Sequence, residues 1–563
     1  MADDQCASSL LLSFLQQVQE AMLATFGPKD FDPKLYIDLP LRFNLFQTRK
    51  AFRELCRLQD NSLSPDHLTA FINEYFDEPG SDVIIYTPQD FTVEPEGFLP
   101  GVKHPEIRGW SLQVHSLWKE LCRKVGEDVK ISADQHTLLY LSRPVIIPGS
   151  RFREVYYWDS YWVIRGLLAS KMFETAKGIV YNLISLVETY GFVLNGARTY
   201  YTNRSQPPLL SAMVEAIYAK TGDISLLRKA LPALLQEYRF WTSGVHEVII
   251  KDEHDFEHSL SRYYASWNAP RPECSTIDKE TAKGLKENEK TSLYHEIATA
   301  AESGWDFGSR WMSDQKSLTT LRTTSIIPVD LNAFLLQMEL NISIFANAID
   351  ETSIARNFVK AADLRYAAIN AIMWNDEMGQ WLDYWIDSDR SLLNQENDKQ
   401  CKVCKEIHIF NRNNQNKTIY ASNFVPLWIE PFRSDRRIEK VINTFQRSGL
   451  IQPAGISTSL LNTGQQWDFP NGWAPLQHMI TEGIAKSTFG ATPLAADIAR
   501  RWVKTNFVAF KQTGAMHEKY DVQVFGETGG GGEYTTQTGF GWSNGVVLAL
   551  LEEFGWPIDL PID

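Results

Sequence analysis

The sequence predicts an all-α protein built from paired helices. Over most of the chain from about residue 131, apolar residues recur at the spacing of helices and not at the alternation of strands. The periodic stretches come in pairs of about 12 to 18 residues joined by short turns. At 563 residues the chain exceeds what one small core spans, so it forms either several domains or one large repetitive architecture.

Taken in order, the N-terminal MADDQCASSLLLSFLQQVQEAM starts acidic, and Gln and Glu soon interrupt its apolar run. It reads as an amphipathic helix, not a signal peptide. Residues 1–130 are less regular, with Pro- and Asp-rich segments such as TPQDFTVEPEGFLPGVKHPE. We expect them to form a helical and extended arm packed on a main body of residues 131–563. Within the body, residues 207–241 read as two amphipathic helices broken at Gly222. Residues 330–349 and 352–374 form a second pair, 473–490 and 492–512 a third, and NGVVLALLEEFGW closes the chain. The repetition is one of structure, since no exact sequence repeat occurs. KETAKGLKENEK, 279–290, reads as a solvated surface segment.

Composition narrows the function. The formal net charge of -14 disfavours binding to a phosphate backbone and suits a neutral substrate. With 17 Trp, 21 Tyr and 30 Phe the chain carries more flat faces than a core usually requires, which hints at sugar stacking. No apolar run reaches the ~18 residues that span a membrane. The lone CxxC of Cys401 and Cys404, with His408 nearby, lacks a second ligand pair and reads as free or locally paired thiols. Asn203, Asn341 and Asn416 open N-x-S/T sequons, a pattern that also arises by chance.

The chemistry concentrates in loops. ESGWDFGSRW sets Asp306 between Trp305 and Phe307, flanked by Gly304 and Gly308. A single such aspartate would read as a turn or helix cap. Here the pattern recurs at Asp159 in YYWDSYW and at Asp468 in QQWDFPNGW, so a shared role is expected. There is no P-loop, HExxH or GxSxG, and the glycine run GETGGGGEY follows no apolar strand. Paired carboxylates remain the strongest engine, one protonated and one ionised, as glycosidic hydrolysis requires. Asp306 has the apolar surround that favours the protonated form. Its partner would come from GAMHEKYDVQVFGETGGGGEY, where spacing leaves Glu518, Asp521, Glu527 and Glu533 open. Arg151, Arg204 and Arg271 could hold sugar hydroxyls or orient carboxylates.

The motifs resemble a known family. PGSRFREVYYWDSYW is similar to the first signature of glycoside hydrolase family 37, PGGRFxExYxWDxY, with Ser150 in place of a glycine. QWDFPNGWAP resembles the second signature, and SGWDFGSRW and GGGGEYTTQTGFGWSNGV are family-like blocks. The likeness runs from about residue 35 to 556 and is strongest to the plant trehalases. It implies an (α/α)6 toroid and inverting hydrolysis of α,α-trehalose to two glucose molecules, with no metal or organic cofactor. It places Asp306 as general acid and Glu518 as general base. Arg151, Trp158, Asp159, Asn195, Arg204, Gln206 and Arg271 fall on binding positions, and Glu533 follows a lid-like glycine run. Asn203 then lies within a binding motif, which argues against use of its sequon. The alternatives are another toroid glycosidase or a phosphorylase acting on an α-linked disaccharide, or a sugar-binding sensor without catalysis. The expected partner is the small-molecule substrate, with the chain a monomer or homodimer. An extracellular or membrane-anchored setting is expected if a targeting segment precedes this chain, and a cytoplasmic one otherwise.

Overall fold

The computed structural model describes residues 2–29, 31–58, 63–386 and 407–562; Cys401 and Cys404 lie outside them. Twelve elements build an (α/α)6 toroid. The inner layer consists of helices Asp159–Ala169, Leu210–Thr221, Val329–Ala348, Ala474–Ala485 and Gly541–Phe554, together with the 3-10 segment Ala421–Trp428. Each inner element packs on the next, and Gly541–Phe554 returns to lie along Asp159–Ala169, so the ring closes. Helices Pro105–Leu121, Phe173–Tyr190, Ile224–Trp241, Thr352–Ala368, Ile438–Arg447 and Thr492–Thr513 form the outer layer.

Local sequence explains the two layers. Gly541–Phe554 is apolar on every side and buried from Gly541 to Leu551, as expected of a helix with no solvent face. Ile438–Arg447 is one-sided: Ile438, Val441, Ile442 and Phe445 are buried, while Glu439 and Lys440 are exposed. The Phe445 ring meets Phe424 of the inner 3-10 segment at 5.0 Å. The expected break at Gly222 is sharp. Gly222 adopts a left-handed φ of 65°, its N–H donates to the Tyr218 carbonyl, and the Asp223 carboxylate accepts from the N–H groups of Ser225 and Leu226.

Ring closure depends on two glycines. A Cβ on Gly545 would lie 2.0 Å from the Trp162 carbonyl oxygen, and one on Gly166 would lie 2.5 Å from the Gly545 Cα. The first and last inner helices therefore touch backbone to backbone.

The N-terminal stretch is mainly helical, with helices Ala2–Phe26, Pro33–Ile37, Leu45–Leu58 and Pro65–Tyr75. Helix Pro105–Leu121, within the stretch expected as the arm, takes an outer-layer position against Gly541–Phe554. A buried charge cluster pins the arm. Lys34 pairs with Asp38 and Glu154, each at 2.7 Å, and Arg198 donates to Glu154 at 2.7 Å. No helix among the described residues is long and apolar enough to cross a membrane. Asn341 is buried within an inner helix and donates to the Ser211 hydroxyl, so its sequon is inaccessible in the folded chain.

Gly545→Ala should destabilise the fold by at least ~1–3 kcal/mol through overpacking at the closure. Gly109→Ala, at an exposed helical glycine with open space around its Cα, should stabilise by roughly 0.5–1 kcal/mol. Thermal unfolding of the two variants beside the parent checks both signs.

Candidate active site

At the end of the ring where the inner helices begin, a cavity opens, with about 670 Å³ of empty space when its open mouth is included. Asp306, Glu518, Arg151, Trp158, Asp159, Asn195, Arg204, Gln206, Arg271 and Glu533 all line it. Residues spread over more than 380 positions of sequence are thus brought to one place. Asp159 begins the first inner helix, Trp473 caps the fifth, and Trp542 stands in the first turn of the sixth. A short antiparallel pair, Asn471–Trp473 with Lys519–Asp521, holds Glu518 beside the Gln466–Trp473 loop.

The loop carrying Asp306 is shaped by its tryptophan neighbours. Gly304 has φ 73°, and a Cβ there would lie 2.8 Å from the Trp158 indole. A Cβ on Gly308 would meet the Trp467 carbonyl oxygen at the same distance. Both glycines are needed for close approach, and Gly304 also for its backbone angle. The aromatic wall around Asp306 comes from elsewhere in the chain: Trp158, Trp467, Trp473 and Trp542 face the cavity. Trp305 stacks behind that wall on Trp467, with ring centres 5.0 Å apart, and Phe307 lies beneath the Arg271 guanidinium. Arg310 is a buried anchor for the loop, forked onto both Asp330 and Asp383 at 2.7–2.8 Å.

The three tryptophan-flanked aspartates do not share one role, contrary to the sequence expectation. Asp159 and Asp306 face the cavity, whereas Asp468 is a bracket. Its carboxylate accepts from the Ser309 N–H and hydroxyl and from the hydroxyls of Ser459 and Thr463, at 2.5–2.8 Å. It ties the Asp306 loop to the Gln466–Trp473 loop.

Each arginine is held by a carboxylate. Arg151 forks onto Asp32 of the arm at 2.8 and 2.9 Å. Arg204 donates to Glu273, and Arg271 forks onto Asp278 while also donating to Glu533 at 2.5 Å. The Asn195 amide donates to the carbonyls of Ser205 and Ala301, and the Gln206 carbonyl oxygen accepts from the Trp158 N–H. Glu302 accepts from the N–H groups of Ser205 and Tyr264, fixing the segment that carries Arg204. Sequence reasoning missed Glu273, Gln466 and Tyr534. The first and last stand within two residues of Arg271 and Glu533, and Gln466 precedes the Trp467–Asp468 pair.

Burial dominates the electrostatics. It pushes the Asp306 carboxyl up to about 7, helped by the Glu533 charge and opposed by Arg271 and Arg204. Asp159 rises to about 8 through burial, with the charges of Glu518 and Asp306 adding to it. Burial also raises Glu518, but Lys519, the Tyr534 hydroxyl, the Gln537 N–H and Arg151 all oppose the rise. The Tyr534 hydroxyl donates to Glu518 at 2.8 Å. All three acids are raised by burial, but only Glu518 has a cation and a hydroxyl donor in direct reach to oppose the rise. The glycine run 529–532 is seated, not loose. Asn471 and Gly530 exchange two hydrogen bonds of 3.0 Å, and the Glu533 carboxylate is buried against Arg271. Among the described residues no group of three His, Cys, Asp or Glu side chains could hold a metal ion.

A helical toroid with several carboxyl groups buried in one aromatic, arginine-lined cavity belongs to the glycoside hydrolases. More specifically, the chain belongs to the trehalase family, whose model matches residues 28–555. A probable trehalase from Oryza sativa subsp. japonica is 54% identical, with 98% of this chain and 97% of that relative covered. The trehalase of Arabidopsis thaliana is 51% identical, covering 99% of this chain and 88% of the relative. The Homo sapiens trehalase is 39% identical, covering 96% and 88%. The neutral trehalase Nth1 from Saccharomyces cerevisiae superposes with a TM-score of 0.56 over 73% of each chain, at 25% identity.

Two substitutions separate the aspartates. Asp468→Ala strips the acceptor from four donors and should cost about 3 kcal/mol or more, read as a lowered thermal midpoint. Asp159→Asn should be neutral or stabilising at pH 7. The Asp159 carboxyl holds its proton up to about 8 when folded but only to about 4 when unfolded. Its ionisation therefore opposes folding as pH rises through that window. An amide removes that dependence, so the gain over the parent should grow from pH 5 to pH 8.

Proposed function

We propose that the chain hydrolyses α,α-trehalose to two glucose molecules with inversion, Asp306 serving as general acid and Glu518 as general base. The observation that carries this reading is the unequal treatment of two buried carboxyl groups in one cavity. Asp306 is buried, with the charge of another carboxylate, Glu533, acting on it, and keeps its proton to about 7. Glu518 receives a hydroxyl donor and faces two cations, which favour the ionised form.

The steps follow from these states. The glucose rings lie against the tryptophan wall, and Arg151, Arg204 and Arg271 hold hydroxyl groups through N–H donors left over from their carboxylate forks. Asp306 gives its proton to the glycosidic oxygen as the bond to the anomeric carbon lengthens. Glu518 takes a proton from a water that attacks that carbon from the opposite face. One glucose leaves as the β anomer and the other as the α anomer. Glu533 and Tyr534 close the cavity, which excludes bulk water and strengthens each polar contact inside.

Asp306→Asn and Glu518→Gln should each lower kcat by at least ~10²–10⁴-fold with the fold intact. Early proton NMR of the parent reaction should show α- and β-glucose in equal amounts. Near-normal turnover by either variant, or α-glucose alone at first, would refute the assignment. Glucose release in phosphate-free buffer distinguishes hydrolysis from phosphorolysis.

The pH profile gives a separate test. Activity needs Glu518 ionised and Asp306 protonated. It should therefore fall at low pH as Glu518 takes up a proton and fall again as pH rises through about 7. Glu533→Gln removes the charge that raises Asp306 and frees Arg271 to lower it. The alkaline limb should move to lower pH, and a stationary limb would show that Glu533 does not act on the acid.

A further inference from the structure

Lys519 has no task in the mechanism above, yet its position is costly. It directly follows Glu518, and its side chain is fully buried. An ammonium removed from water loses several kcal/mol unless partners replace the solvent. Its Nζ donates to Gln466 Oε1 at 2.6 Å and to the Gly531 carbonyl at 3.4 Å, and lies 3.8 Å from Glu518 Oε2. Gln466 is itself committed on its other side, donating through Nε2 to the backbone carbonyl of Asp306.

The glycine run packs on the same two side chains. A Cβ on Gly529 would meet Lys519 Cγ at 2.8 Å, and one on Gly532 would meet Gln466 Oε1 at 2.7 Å. Gly531 is excluded from bearing a side chain by the Gly464 carbonyl, 2.3 Å from where a Cβ would stand. Three of the four glycines are therefore required for this run to seat on Lys519, Gln466 and the turn at Gly464. The Asp306 loop, the strand after Glu518 and the glycine run meet at one ammonium group.

We propose that Lys519 is a positioning residue that couples closure of the glycine run to the placement and charge state of Asp306 and Glu518. The inference rests on the acid and base roles assigned above. With the run seated, the Gly531 carbonyl and Gln466 replace water around Nζ, and its charge acts undiluted on both carboxyl groups. With the run lifted, water reaches Nζ and screens it. Gln466 transmits the same event to the Asp306 backbone as a change in hydrogen bonding. Other charged or titratable groups face these carboxyls: Arg151, Tyr534 and Asp159 for Glu518, and Glu533, Arg271, Arg204 and Asp159 for Asp306. None of these cations donates to a carbonyl of the glycine run, which is what sets Lys519 apart.

The test uses the full chain with trehalose, reading kcat/KM against pH together with hydrogen exchange over residues 529–533. Lys519→Met removes a cation near both carboxyls, so both limbs should move to higher pH, by about one unit. Exchange over the glycine run should quicken roughly tenfold, since the seated state loses a hydrogen bond worth about 1.4 kcal/mol. Lys519→Arg should leave the limbs in place. Gln466→Met keeps the cation but cuts the link to Asp306; it should lower kcat and speed exchange, with both limbs moving less than in Lys519→Met. A purely structural lysine would lower activity with the limbs fixed, and that result in Lys519→Met would overturn the proposal. If Lys519→Met fails to fold, the Gln466→Met result decides: parental exchange and parental kcat would overturn it. Loss of activity in Asp306→Asn and Glu518→Gln alongside stationary limbs in Lys519→Met would sink the coupling alone. Activity in either of those two variants would instead sink the catalytic assignment.

Discussion

The placement of Asp159, Asp306, Glu518 and Glu533 around one cavity, with their side chains largely buried, is the constraint on which the rest of the molecule depends. Carboxylates so close together repel, and burial removes the water that would moderate the repulsion. Left alone, such a group would take up protons or unfold the site. The protein meets this with a second layer of charge. Arg151, Arg204 and Arg271 each stand at the cavity and are each anchored outward by an acid, Asp32, Glu273 and Asp278. These forks fix where each guanidinium stands, so Arg271 and Arg204 only partly offset the burial that raises Asp306. Burial and the Glu533 charge together still hold the Asp306 proton to about 7, while Glu518 is offered a hydroxyl and cations that favour its charge.

Such a balance survives only on a rigid frame. The inner helices supply it by starting at a common end and touching in a closed circle. The loops between them are then fastened to one another and not merely to their own helices. Asp468 binds the Asp306 loop to its neighbour, Glu302 clasps the Arg204 segment, and Arg310 ties Asp330 to Asp383 beneath the site. A shift of one loop is felt by all of them, which suits a cavity whose buried carboxyl groups must keep their places.

Much of this was legible in the sequence because the relevant signals are local. The break at Gly222–Asp223 needs only a left-handed glycine followed by a capping carboxylate. Five of the ten site residues lie in the short motifs that carry the resemblance to the family, and all ten do converge. The unread part depends on partners far away in sequence. Asp468 and Asp306 look alike as Trp–Asp pairs, and only the hydroxyls of Ser309, Ser459 and Thr463 decide that one is a bracket. Inner and outer helices share the same apolar period, so the layers could not be told apart. The inner segment Ala421–Trp428, with Pro426 inside it, lacks a helical pattern altogether. Nor could any local rule foresee that Trp158, Trp467, Trp473 and Trp542, and not Trp305 or Phe307, would form the wall around Asp306.

The closing contact between Gly166 and Gly545 also sets the order of events during synthesis. About 370 residues separate the first inner helix from the last. At ~5–20 residues per second, a ribosome needs roughly 20–75 s to bridge that interval. Through this time the apolar flank of the first helix, with Trp162 in its middle, has no partner. The helix that finally covers it is the last regular element to emerge. The nascent chain therefore carries an unsealed hydrophobic seam across that interval, and this exposure follows from the topology of a ring and from no single weak residue.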